Sequence, residues 1–180
     1  MLNKILVAID DSFASQCAFE TGLQLSRALG AELMLVHVLD VLASDGPGNP
    51  FITVDPLVFI QNEKKVKTDY EEKMIKFVAR YDALLKEKQK EAEAAGVVTQ
   101  YALPHGRPGL AICKVAKENN IDLIVIGNRD RSTLKELIPG SVSNYVVHRA
   151  PCSVTIVHPD SYEKPETRDP HSELELAGVL

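Results

Sequence analysis

The chain has 180 residues, 45% of them apolar, which suits one domain with elaborations around a conventional core rather than two full domains. Formal net charge is −5, and residues 159–180 carry six acidic against two basic side chains, so the remaining body is close to neutral. That balance, without interleaved aromatic platforms, argues against a nucleic-acid groove, and no apolar run approaches the length of a membrane span.

Met1-Leu2-Asn3-Lys4 runs straight into an apolar segment, leaving no room for a signal-peptide core, so a cytoplasmic setting is expected. Lys4–Asp10 predicts a first buried strand, then Ser12 as cap of a helix reaching Leu29, closed by Gly30. On that helix Ala14, Ala18, Gly22 and Leu25 trace a face of mostly small residues suited to close packing on a sheet. Glu32–Leu39 is the second strand, with His37 as a packed histidine. From Asp40 to Ile60 the punctuation Gly46-Pro47-Gly48-Asn49-Pro50 and Asp55-Pro56 predicts a long loop at the strand's carboxyl end.

Residues 62–95 then read as one helix, with Val66, Tyr70, Met74, Phe77, Tyr81 and Leu84 at three- and four-residue spacing. At about 1.5 Å per residue it is roughly 50 Å long, so part of it projects beyond a small sheet or it breaks near its start. Gly96 ends it. Val97–Leu103 is a third strand, and Pro108 opens a helix to Asn119. Ile121–Ile126 is a fourth, almost wholly apolar strand closed by Gly127. A helix from Gly140 to His148 and a fifth strand, Cys152–Val157, follow, and the acidic, proline-containing tail from Pro159 reads as flexible.

Strands alternating with helices specify a parallel sheet with right-handed crossovers. In such a sheet ligands sit outside the carboxyl ends of strands where the winding reverses, which points to Asp10 and Gly127. At Gly140-Ser141-Val142-Ser143 a helix start offers hydroxyls and orphan N–H groups, a setting that attracts anions, although capping alone explains both serines. Cys17, Cys113 and Cys152 lack any Cys-x-x-Cys spacing and read as small packed hydrophobes. No histidine pair has metal-ligand spacing, no nucleophile elbow appears, and no general base is positioned, so no metal site and no catalytic residue are expected.

Gly127, Gly140 and Ser141 fit the pattern G-x2-G-x9-G-S/T, with Asp130 at the second glycine. Val7-Ala8-Ile9-Asp10-Asp11-Ser12, Leu35-Val36-His37-Val38, Gly106-Arg107-Pro108 and Ala150-Pro151-Cys152-Ser153-Val154 accompany it in order. Over residues 1–158 the chain resembles the universal stress protein family. The resemblance implies a Rossmann-like α/β fold of the adenine nucleotide alpha hydrolase type: an open five-stranded parallel sheet, order 3-2-1-4-5, with helices on both faces. It also implies an adenine nucleotide (ATP, ADP or AMP, with or without Mg²⁺) and a stress-response sensor rather than an enzyme, dimerising through the strand at 152–157. Ala8, Ile9 and Asp10 would line ribose and adenine, and the Val38 backbone would meet adenine. Gly127, Asn128, Arg129, Gly140, Ser141, Val142 and Ser143 would surround the phosphates, with Ile126 and Asp130 completing the set.

Asp130 departs from that pattern. A carboxylate about 4 Å from one phosphate charge costs roughly 4 kcal/mol at an effective dielectric near 20. A helix N-terminus returns at most about 2 kcal/mol. Neutralisation by Arg129 and Arg131, a bridging Mg²⁺, or a shorter or cyclic ligand would relieve the repulsion. Two other readings stay open: a nucleotide-free interaction module whose phosphate site Asp130 closes, or a slow ATP hydrolase. Asp130 also suits a turn cap before the Thr133-x-x-Glu136 box.

Overall fold

The computed structural model describes residues 2–128 and 142–159. In chain order the elements are β1 (Lys4–Ala8), α1 (Phe13–Leu29), β2 (Glu32–Val36), α2 (Pro50–Thr53), α3 (Pro56–Gln61) and α4 (Glu63–Ala94). They continue with β3 (Thr99–Ala102), α5 (Pro108–Glu118), β4 (Leu123–Gly127), α6 (Val142–Arg149) and β5 (Ser153–Val157). All five strands run parallel in the order β3-β2-β1-β4-β5. The family resemblance implies this order.

Strand alternation divides the core into two layers. Ile5, Val7, Leu33, Leu35 and Val125 face α1 and α4, meeting Cys17, Phe19 and Leu85, whereas Leu6, Val36, Ile124 and Ile126 face α5 and α6, meeting Ile112, Val115 and Val146. Cys17 and Cys113 are buried and Cys152 is half-buried. Desolvation raises all three thiols above their ordinary value, as packed hydrophobes require.

Helix α1 starts where Ser12 accepts from the Ser15 N–H and stops at Gly30, whose φ of 64° lies in the left-handed region. Its stripe of small residues is needed for contact. A Cβ on Gly22 would lie 2.3 Å from the Val7 side chain in the middle of β1. Helix α4 is continuous over 32 residues. Burial begins only at Phe77 and runs through Tyr81, Leu85 and Ala92, while Ile75 is 68% exposed. The first half therefore projects past the sheet, beside α2 and α3.

Those two short helices occupy the second half of the predicted long loop over 40–60, and residues 40–49 remain a loop. Each begins with a proline at its first position, after Asn49 or Asp55, a pairing that favours a helix start. The strands are shorter than their apolar runs suggest. β1 ends at Ala8 and β2 at Val36, where the paired register between them stops, although the chain after β2 still bonds to the segment after β3 through the His37 and Leu39 N–H groups. The tail beyond Pro159 lies outside the described residues.

Gly22→Ala should lower stability by about 1 to 3 kcal/mol in urea denaturation, the usual cost of overpacking. Because the clash is with Val7, the double variant Gly22→Ala/Val7→Ala should lose less than the two single losses added together.

Candidate functional site

Winding reverses at β1, which pairs with β2 on one side and β4 on the other. Ala8 pairs with Val36, and Val7 with Val125. Carried one residue onward, that register sets Ile9, His37 and Gly127 on one level; a further step brings Asp10, Val38 and Asn128 together. Five of the sequence-predicted site residues thus meet at one end of the sheet. Ala8 and Ile126 lie one step below, and Val142 and Ser143 open α6. Arg129, Asp130, Gly140 and Ser141 lie outside the described residues.

The side chains of Ile9, Val38 and Ile126 are buried in the core, so any contact they make with a ligand is through backbone groups. Asp10 is folded into the helix entry. Its Oδ1 accepts from the Ser12 N–H at 2.8 Å and from the Ser12 hydroxyl, and its own N–H donates to Ser15 Oγ at 2.8 Å. Ser12 in turn accepts from the Ser15 N–H at 3.2 Å. Ser12 caps α1, while Asp10 and Ser15 close the turn before it, Asp10 accepting from the Ser12 N–H and Ser15 Oγ accepting from the Asp10 N–H. Together they set how α1 leaves the strand end.

Gly127 has a packing reason for lacking a side chain. It is absent from the glycines with positive φ. A Cβ there would lie 2.3 Å from the Ala14 carbonyl oxygen, so the first turn of α1 rests directly on the end of β4. Asn128 donates its backbone N–H to the Val157 carbonyl at 2.7 Å, and its side-chain amide donates to His158 Nδ1 at 3.3 Å, drawing it toward β5.

The ladder between β1 and β2 ends abruptly. The Ile9 N–H donates to the Val36 carbonyl at 2.8 Å, and the next rung would run from the Val38 N–H to the Ile9 carbonyl. That carbonyl instead accepts from His37 Nδ1 at 2.8 Å. A carbonyl only accepts, so Nδ1 carries the proton. The imidazole is buried and stacks on Tyr81 of α4, centroids 3.4 Å apart and planes 9° from parallel. The Tyr81 hydroxyl donates to Asp45, and Arg80 pairs with Asp11 and approaches Asp45 at 3.9 Å. A sheet-end carbonyl, a buried imidazole, a helix and a loop carboxylate are thereby linked in series.

Sequence reading places His37 and Tyr81 correctly as packed residues but does not join them, and it passes over Ser15, Asp11, Asp45 and Arg80. The adjacent pair Arg80-Tyr81 in the apolar stripe is the only local sign of the cluster. Burial depresses the His37 imidazole below its ordinary value of 6.5, against the pull of the Ile9 carbonyl and of Asp10, Asp45 and Asp11. The Tyr81 hydrogen bond holds Asp45 below the usual carboxylate range, and burial and then Asp45 push Tyr81 well upward.

A cleft of about 260 Å³ opens beside the strand end between α1 and α4. It shares Ile9 and Asp10 with the predicted site and is walled by Phe13, Phe19, Leu84 and Lys88, whose ammonium lies 4.7 Å from the centre of the Phe19 ring. Among the described residues, no group of three His, Cys, Asp or Glu side chains is placed to hold a metal ion, and no helix is long and apolar enough to cross a membrane.

The strand order and the switch point define a Rossmann-like α/β domain. The family model "Universal stress protein family" matches residues 1–158, and the chain belongs to that family. It is similar to universal stress protein YxiE of Bacillus subtilis, 32% identical over 157 residues that cover 87% of this chain and 99% of the relative. Among solved structures it resembles a universal stress protein in complex with cAMP, with TM-score 0.60, 25% identity, and 88% and 98% of the two chains covered. It also resembles a family protein from Arabidopsis thaliana with AMP bound, with TM-score 0.52, 22% identity, and coverage of 92% and 97%.

Two pH windows should appear in stability measurements. The unfolded chain protonates His37 near pH 6.5 while the folded chain resists it, so this contribution is complete above that pH and is lost as pH falls below it. Asp45 adds a second loss below its ordinary value of 3.8. His37→Asn should flatten the first slope in thermal melts recorded from about pH 7 to 5. Tyr81→Phe should cost about 1 kcal/mol and Tyr81→Ala about 3 to 5 kcal/mol, because the second also removes a buried ring.

Proposed function

We propose that this protein binds an adenine nucleotide at the carboxyl ends of β1 and β4 and acts as a cytoplasmic, homodimeric regulator of a stress response rather than as an enzyme. The observation that carries the reading is the common level of Asp10, Val38 and Asn128, with the Val38 N–H left out of the backbone ladder. A strand residue presents its N–H and C=O on the same side, and the adenine edge offers an acceptor at N1 and a donor at N6 to match them. Family relatives crystallised with cAMP and AMP support an adenine monophosphate.

A monophosphate or cyclic phosphate also suits Asp130, because the ligand then ends before the charge that the carboxylate would repel. Calorimetric titration with AMP, cAMP, ADP and ATP, with and without Mg²⁺, tests this reading. We expect AMP or cAMP to bind more tightly than metal-free ATP, and Asp130→Gly to tighten ATP by at least about tenfold while leaving AMP nearly unchanged. No heat from any of the four at millimolar concentration sinks the proposal. It would favour instead an interaction module presenting the projecting half of α4 with the neighbouring α2 and α3, where Ile75, Ile52 and Ile60 are 68–73% exposed.

The homodimer would form through β5, an edge strand in the described sheet, with Ile156 38% exposed. Light scattering should then report a dimer, and Ile156→Lys should shift it to monomer with the melting profile of the fold retained. A wild-type monomer at high micromolar concentration refutes the pairing.

A further inference from the structure

His37 is buried and donates to a backbone carbonyl, yet the ladder could be completed without it. Register alone gives the Ile9 carbonyl a partner in the Val38 N–H. Beyond Val36 the second strand leans on β3 instead: the His37 N–H donates to the Ala102 carbonyl at 3.2 Å, and the Leu39 N–H to the Pro104 carbonyl at 2.8 Å. These two bonds turn the N–H and C=O of the residue between them, Val38, toward β1. There the Ile9 carbonyl is already taken by the imidazole at 2.8 Å, and the Val38 N–H makes no backbone hydrogen bond among the described residues.

The ring is held at its edge by the Ile9 carbonyl and on one face by Tyr81. Tyr81 stacks on it at 3.4 Å, and Phe77 packs edge-on against Tyr81 with centroids 5.4 Å apart. The Tyr81 hydroxyl is anchored by Asp45 from the segment after β2, and Gly46 there sits so close to the Asp40 and Val41 carbonyls that a Cβ would lie 2.7 Å from the first. Helix α4 and the 40–46 segment therefore fix the angle of one imidazole, and the imidazole takes the place of a main-chain donor at one rung.

We propose that His37 is a positioning residue for adenine: its Nδ1–H occupies the Ile9 carbonyl and so reserves the Val38 N–H and C=O for the base. The assignment rests on the nucleotide reading above and names what makes that site selective. A base with an acceptor between ring carbons and a neighbouring amino donor fits the reserved pair. Guanine, which presents a donor at N1 and an acceptor at O6, meets like against like. An unpaired buried polar group on each side is the basis of that discrimination.

Amide hydrogen exchange on the nucleotide-free protein tests the assignment without any ligand. In the wild type, the Val38 amide should exchange at least about tenfold faster than the Val36 and Leu39 amides on either side. Nitrogen-15 spectra of the ring should show the Nδ1–H tautomer. In His37→Phe the strands can close, so Val38 should become protected, AMP affinity should fall about tenfold, and the preference for AMP over GMP should shrink. His37→Asn, whose side-chain amide sits close to the position of Nδ1, should restore fast Val38 exchange and most of the discrimination.

A protected Val38 amide in the wild type overturns the assignment, as does unchanged exchange in His37→Phe or an Asn variant that behaves like Phe. If His37→Phe is unfolded by circular dichroism, the wild-type exchange pattern and the Asn variant decide the matter. Wild-type protein that shows the expected exchange but binds no adenine nucleotide refutes the site reading and the ligand role together. Normal AMP binding and selectivity in a folded His37→Phe refutes only the role of His37.

Discussion

Everything at the functional end depends on where the hydrogen-bond ladder of β1 stops. The winding reverses at this strand, since the chain leaves its neighbour β2 by helices on one face and its neighbour β4 by α6 on the other, and the strand is buried on both faces. As long as its rungs continue, its backbone groups are consumed by β2 and β4. At Ile9 they are not, because a side chain replaces a main-chain donor. A crevice in a parallel sheet is a place where backbone polar groups lose their strand partners, and each such group needs another partner or water.

Strength of attachment separates the parts of the cluster around that end. Arg80 and Asp11 are 54% and 41% exposed, so their ion pair contributes little, about 0 to 1 kcal/mol. Tyr81 is 4% exposed and has His37 on its face and Phe77 at its edge, and such ring contacts each add about 0.5 to 1.5 kcal/mol beyond buried area. Packing therefore holds α4 to the sheet end, and the charges tune its surroundings. The same comparison explains why the helix is tightly held from Phe77 onward and stands clear of the sheet before it.

Glycines show most clearly how local and tertiary information divide. Gly30 is legible as a helix stop, because its positive φ answers a local need of the chain. Gly127 is legible as a place where a side chain is not tolerated, but its sequence context suggests a ligand as the reason. The Ala14 carbonyl, more than a hundred residues away, is what a Cβ would strike. Likewise, Asn49-Pro50 and Asp55-Pro56 read as turn punctuation, and in the fold each opens a short helix.

By itself the sequence determined the number, type and order of the main elements, because buried strands and amphipathic helices carry their period in a few consecutive residues. It also determined the sheet end at which Asp10 and Gly127 meet, since alternating strands and helices leave one switch point. Only the tertiary structure decided which backbone groups stay open there. The stacking of His37 on Tyr81, the bridging of Arg80 to Asp11 and the seating of Ala14 on Gly127 join residues distant in the chain. Such contacts depend on the relative placement of whole elements, a quantity that no local pattern encodes.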